Sequence, residues 1–211
     1  MHRRELIKMI GLLTGAAVIG TDFLLTGCKT STSSVQITPQ MVALLDEVGE
    51  TIIPATSTPG ARAAKIGEFM KIMVNDCYSP SQQKAFTEGV SKLDDECKTH
   101  TGKPFLEASV AEREKFLIHL EEEAKKKNAE NRELDNQKRK DHDQTNSKRS
   151  LAEQKEFEAT PEHYYTMVKQ LTLLGFFTSK TGMTETLRHI PVPGRYDGEM
   201  AYNAGDRAWA E

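Results

Sequence analysis

The run T-P-Q-M-V-A-L-L-D-E-V-G-E-T-I-I-P, residues 38–54, decides the fold class of this chain. Thr38 is a residue type that caps helices, and Pro39 at the first helical position has no amide proton to leave unpaired. Met41, Val42, Leu45, Val48 and Ile52 recur at the three- and four-residue intervals that line one helical face, so the helix runs to about Ile53. Pro54, Pro59 and Gly60 end it and make residues 54–60 a loop. The chain repeats this module, a helix started by a cap and stopped by proline or glycine.

A second helix is expected over about Ala61–Tyr78, with Ile66, Phe69, Met70, Met73, Val74 and Cys77 as its apolar stripe. Ser79-Pro80 starts a third, carrying Phe86, Val90, Leu93 and Cys97 and ending by Gly102–Pro104. Ser109 and Glu112 form a Ser-x-x-Glu capping box for a fourth, whose buried face is Phe116, Leu117 and Leu120. Thr160-Pro161 opens the last long helix, Glu162 to about Phe177. Its Tyr164, Met167, Val168, Leu171, Leu174 and Phe177 are too dense for a one-faced helix and place it at the centre of the bundle. A short helix is expected over Met183–His189, then an extended, irregular tail from Pro191. The fold expected is all-α: an irregular bundle of about five main helices with an extended C-terminal tail.

Between Glu121 and Glu158 the stripe vanishes. Ten basic and eleven acidic residues fall in these 38 positions. Glu121–Lys125, Glu122–Lys126 and Glu123–Lys127 are favourable i,i+4 pairs, each worth a few tenths of a kcal/mol, so the fourth helix can continue into solvent. Asp141–Ser147 is expected to interrupt it, and the segment reads as a solvated, partly disordered insertion. Its balanced charge excludes a nucleic-acid arm.

The N-terminus reads as an export signal. Arg3 and Arg4 precede Leu6, Ile7 and Lys8; an apolar run from Met9 to Leu25 follows, closed by L-T-G-C at residues 25–28. The paired arginines resemble a twin-arginine signal, which carries folded cargo, and L-T-G-C resembles a lipobox, with Cys28 as the lipidated residue. An ordinary secretory signal is the alternative. The apolar run contains Asp22 and three glycines and falls short of the roughly 20 apolar residues of a span. Expected boundaries are therefore 1–27 signal, 28–37 flexible tether and 38–211 helical domain, with the charged insertion at about 121–158. The product would be exported and lipid-anchored to a bacterial membrane, facing the periplasm or the cell exterior. Removing residues 1–27 leaves 25 basic and 29 acidic residues, which suits no polyanion. Cys77 and Cys97 are in a compartment that permits a disulfide, but two buried free thiols are the default.

Sequence motifs for chemistry are scarce. There is no G-x-G-x-x-G after a strand, no C-x-x-C-H and no H-E-x-x-H. His119 with Glu122, and Glu185 with His189, lie one turn apart, yet single pairs are far more often surface side chains than metal ligands. No catalytic, cofactor or metal residue is assigned, and the chain is not expected to be an enzyme by itself.

L-L-D-E-V-G-E-T-I-I-P-A-T-S-T-P-G-A-R-A-A (44–64), D-C-Y-S-P (76–80), L-T-L-L-G-F-F-T-S (171–179) and I-P-V-P-G-R-Y-D-G (190–198) through G-D-R-A-W-A (205–210) resemble the gluconate 2-dehydrogenase subunit 3 family. Its most specific parts are the I-I-P-x-T-x-T-P-G loop and the tail. Many members carry cysteine where this chain has Glu199, and the charged insertion is longer than usual. The resemblance implies a non-catalytic small subunit of an extracytoplasmic dehydrogenase. Its large partner would be a flavoprotein of the glucose–methanol–choline class, holding FAD and oxidising sugars or sugar acids, and in many complexes a cytochrome c subunit with haem c receives the electrons. The small subunit would supply the export signal, the membrane anchor and stabilisation. A free-standing envelope lipoprotein, binding another protein or a small ligand, is the alternative.

Arg195, Tyr196, Tyr202, Arg207 and Trp209 crowd an otherwise irregular tail. Tyr, Trp and Arg are enriched at binding hot spots, so these five, with the Pro54–Gly60 loop, are the candidate partner interface. The competing expectation is that the tail folds back on the chain's own helices.

Overall fold

The computed structural model describes residues 37–150, 153–192, 194, 198–201 and 203–210. The export signal, with Arg3, Arg4 and Cys28, lies outside the described residues, as do Arg195, Tyr196 and Tyr202 of the tail. The described chain is all-α, with five α-helices: α1 Pro39–Ile52, α2 Ile66–Cys77, α3 Pro80–Thr101, α4 Val110–Asn146 and α5 Tyr164–Thr178. A 3-10 turn at Ala61–Ala64 and a π turn at Gly182–Thr186 complete it, and no strand occurs among the described residues. None of the described helices is long and apolar enough to cross a membrane.

Three helix starts follow from local chemistry. The Thr38 hydroxyl accepts the Met41 amide at 3.3 Å. Ser79 with Gln82 and Ser109 with Glu112 form reciprocal capping boxes. Val42, Leu45 and Val48 of α1 pack with Ile66, Met70 and Val74 of α2, Phe86, Val90, Leu93 and Cys97 of α3, Phe116, Leu117 and Leu120 of α4, and Val168, Leu171 and Phe176 of α5 in one core. α5 packs against each of the other four helices, as its dense apolar pattern predicts.

Several expectations need correction. The second helix does not start at Ala61. Residues 61–64 form a 3-10 turn, Lys65 adopts left-handed φ 54°, and α2 begins at Ile66. Lys65 has no side chain able to cap; Asp46 of α1 does so from a distance, accepting the Gly67 amide at 2.7 Å. Gly67 is needed for space, since a Cβ there would lie 2.3 Å from the Val42 carbonyl oxygen. Cys77 is exposed rather than buried, Cys97 is buried, and both are free.

The charged segment is not interrupted at Asp141; α4 runs through it to Asn146, with Ser147 as C-cap. Of the three expected i,i+4 pairs, Glu121–Lys125 is an ion pair at 3.3 Å. Nor is the segment a solvated excursion without partners. Its inward stripe is Asn128, Asn131, Asp135, Arg139, His142 and Asn146, spaced three or four residues apart, and every one holds the returning chain 155–163. Asn146 exchanges two 2.9 Å hydrogen bonds with the Lys155 backbone. His142 meets the Phe157 ring edge at 5.5 Å, and Arg139 lies over that ring at 4.8 Å. Asp135 accepts the Thr160 amide and hydroxyl, each at 2.7 Å. Asn131 donates to the Pro161 carbonyl, and Asn128 accepts the His163 amide at 2.8 Å. Periodicity is intact, but it is written in amides and carboxylates.

That strap also moves the start of the last helix. Thr160 and Pro161 are drawn to α4, so α5 begins at Tyr164, capped by the His163 ring, whose Nδ1 accepts the Tyr165 amide at 3.3 Å. Burial pushes the His163 imidazole below its ordinary value, against the opposing pull of Glu96 and Glu123. The neutral ring is therefore the folded form. Its contribution to stability is complete above the unfolded value, ~6.5, and is lost as pH falls through the window down to the depressed folded value. Between about pH 7 and about pH 5, wild type should lose more stability than His163→Asn, which keeps a capping acceptor but does not titrate. Melting curves across that range check this; parallel pH profiles for the two proteins would contradict it.

Candidate partner interface

The sequence motif around residues 46–62 is a set of acids that bind the chain's own backbone amides and arginines. On α1, Glu50 and Glu47 face the loop and the 3-10 turn, and Asp46 faces the start of α2. The Glu50 carboxylate accepts the Ala55 and Arg62 amides, each at 2.9 Å, and so closes the loop 54–60 from both ends. Glu47 pairs with Arg62 and, at 2.9 Å, with Arg113 Nη1 of α4.

Arg113 uses its whole guanidinium. Besides Glu47, its Nε donates to the Phe105 carbonyl and its Nη2 to the Leu106 carbonyl, each at 2.8 Å, while its plane covers the Phe105 ring at 5.2 Å. It joins α1, α4 and the turn that connects α3 to α4. Sequence reading missed Arg113 altogether, because a lone arginine in a charged helix has no signature. In this geometry Glu47 and Glu50 are structural clamps that shape the loop.

The tail is held at residues 206–210. The expected short helix over 183–189 is a single π turn, and Arg188 beyond it forms an isolated parallel bridge with Trp209. The Arg188 amide donates to the Ala208 carbonyl at 2.8 Å, and the Ala210 amide to the Arg188 carbonyl at 2.9 Å. The Arg188 guanidinium stacks on the Trp209 ring at 4.4 Å. Its Nε is buried without a hydrogen-bond partner among the described residues, and its Nη1 lies 4.0 Å from Asp206 Oδ2. Arg207 Nη1 donates to the Glu185 carbonyl at 2.7 Å. Of the five candidate tail residues, Arg207 and Trp209 are thus both placed against residues 184–188; Arg195, Tyr196 and Tyr202 lie outside the described residues. Trp209 remains 39 % exposed, with one face on Arg188.

Among the described residues, the scattered histidines assemble no site. His119 stacks on His100 at 4.7 Å and approaches Glu123, not Glu122, at 3.6 Å. No group of three or more His, Cys, Asp or Glu among the described residues could hold a metal ion. Tyr164 donates to Glu96 at 2.6 Å, and burial, first, with that carboxylate raises its phenol far above the ordinary value. Such a tyrosine is a packing group at neutral pH.

A shaped loop, a latched tail and a five-helix core define a small helical scaffold whose charged clusters serve its own backbone. Residues 39–194 match the family model of gluconate 2-dehydrogenase subunit 3, and the chain belongs to this family. Its members are a subunit of a dehydrogenase complex, so association with the catalytic dehydrogenase subunit follows. Searches of curated proteins and of solved structures returned no match.

Proposed function

We propose that this chain is the non-catalytic small subunit of an extracytoplasmic, FAD-dependent sugar or sugar-acid dehydrogenase, and that it exports, anchors and stabilises the flavoprotein subunit. The observation that carries this reading is the family match over 39–194, which includes all five helices and the loop that Glu50 closes. FAD belongs to the partner, and a cytochrome c subunit with haem c is a further partner of the complex. A flavoprotein folds around FAD before it leaves the cytoplasm. A folded-cargo signal on one member of the complex then serves both, and Arg3 and Arg4 supply it. Cys28 supplies the lipid that holds the product at the membrane. One acyl chain gives only marginal attachment, so a diacylated Cys28 suits stable anchoring.

The joint variant Arg3→Lys/Arg4→Lys should leave both subunits in the cytoplasm, and Cys28→Ala should release the complex from the membrane or leave an uncleaved precursor. Cell fractionation with blots for both subunits reads each outcome. A flavoprotein that still reaches the envelope in the arginine variant would contradict the carrier role. Unchanged, fully processed membrane attachment of the Cys28→Ala protein would contradict the anchor.

A further inference from the structure

We propose that the outward side of the C-terminal half of α5, together with the Arg188–Trp209 latch, is where the catalytic dehydrogenase subunit docks; this rests on the reading above that the chain assembles with that subunit. The apolar residues of α5 are too dense for a one-faced helix, which predicts a central position in the bundle. The helix is buried on one side by Tyr164, Tyr165, Met167, Val168, Leu171 and Phe176. Its other side divides along its length. The first half is polar, with Thr166, Lys169 and Gln170. The second half is Leu173, Leu174 and Phe177, which are 40 %, 47 % and 40 % exposed. At ~100° per residue these three fall in one arc with Phe177 between the two leucines. The core does not require them, so their apolar character calls for another partner.

The ridge continues into the latch. Phe177 meets Phe176 edge-to-face at 5.2 Å. The next turn packs directly on this pair: a Cβ on Gly182 would lie 2.0 Å from the Phe176 carbonyl oxygen and 3.3 Å from the Phe177 Cα. Two residues further, the Thr184–Glu185 carbonyls receive Arg207, and Arg188 stacks on Trp209. Leucine and phenylalanine in the middle, with tryptophan and arginine beside them, is the composition of a buried interface centre, and the exposed acids of the latch, Glu185 and Asp206, the latter 4.0 Å from Arg188 Nη1, suit a polar rim. A stable interface buries ~800 Å² per partner, more than three half-exposed side chains supply, so ridge and latch must act together. Membership in a family of dehydrogenase subunits provides the permanent partner. A small ligand is poorly suited, because a convex helical ridge encloses nothing.

The test is affinity purification of the assembled complex through this chain, scored by co-eluting flavin absorbance per chain and by sugar-dependent dye reduction. Leu174→Glu should lower both by at least about tenfold, since a charge would be desolvated within the contact. Helical circular dichroism and melting temperature of the chain should stay as in wild type. Leu134→Glu, at a 52 % exposed site on the α4 arm, should change neither readout. If Leu174→Glu misfolds, Leu173→Glu on the same arc carries the test. Wild-type flavin content in a folded ridge variant would overturn the docking site and leave the functional reading intact. A ridge variant that loses only self-association, with flavin content unchanged, would assign the ridge to a second copy and also overturn it. Wild type eluting without flavoprotein would overturn both.

Discussion

Arg113→Ala should destabilise the chain by about 3–5 kcal/mol, the largest loss expected of any polar substitution here. The Arg113 and Glu47 side chains are only 16 % and 21 % exposed. Removing the guanidinium leaves the Glu47 carboxylate with Arg62 alone. It also leaves the Phe105 and Leu106 carbonyls without their 2.8 Å donors; the Leu106 carbonyl can turn to solvent, but the Phe105 carbonyl is part-buried, and an unpaired buried acceptor costs about 1–3 kcal/mol. Phe105, itself fully buried, loses the cation over its ring. Arg113→Lys keeps a charge near Glu47 but cannot reach two carbonyls and a carboxylate from one nitrogen in a planar fork, so it should recover less than half of the loss. Urea unfolding measures both. A loss below about 1 kcal/mol for Arg113→Ala would mean that the three-way contact contributes little.

Gly60→Ala should cost about 1–3 kcal/mol and loosen the 54–60 loop. Its backbone is ordinary, with φ −90°, so glycine is needed here for space and not for conformation. An added Cβ would sit 2.4 Å from Glu50 Oε1 and 2.5 Å from the Ala55 nitrogen. One is the clamp and the other is the backbone it clamps, so neither can move without breaking the Glu50–Ala55 bond. Gly102→Ala is the opposite case. Gly102 has φ +84° and no neighbour within 4 Å of an added Cβ, and its cost, ~1 kcal/mol, is conformational. Thermal melts and limited proteolysis separate the two: both variants melt lower, but only Gly60→Ala should expose the 54–60 loop to cleavage. Equal protection of that loop in both would contradict the clamp.

The helices were legible where their signals are local. Thr38, Ser79 and Ser109 each announce a start because the accepting hydroxyl and the amide that donates to it lie three residues apart. The start of α2 was not, since its cap is Asp46, twenty-one residues upstream of Gly67. The order of the charged arm was hidden for a different reason. A search for apolar periodicity passes over Asn128, Asn131, Asp135 and Asn146, although they keep helical spacing and use it to bind the returning chain. That strap then takes Thr160, the residue expected to cap the last helix, and leaves the role to His163. At the candidate interface, Arg207 and Trp209 could be singled out by residue type. Arg188, which orders Trp209, could not, because nothing in T-L-R-H marks it. The ridge on α5 was half visible: the excess of apolar residues was read as burial, whereas the core takes one side and leaves Leu173, Leu174 and Phe177 outward.

The central claim, that the chain is a subunit of a flavin dehydrogenase, is tested most directly by purifying the wild-type protein from its own membranes in mild detergent. The eluate is then examined by visible spectrum, mass spectrometry and sugar-dependent dye reduction. The account predicts a large flavoprotein at fixed stoichiometry with this chain, a flavin spectrum, and reduction of the dye with sugars or sugar acids. A chain that elutes alone, or with flavin-free envelope proteins while the dehydrogenase activity stays in another fraction, would contradict it.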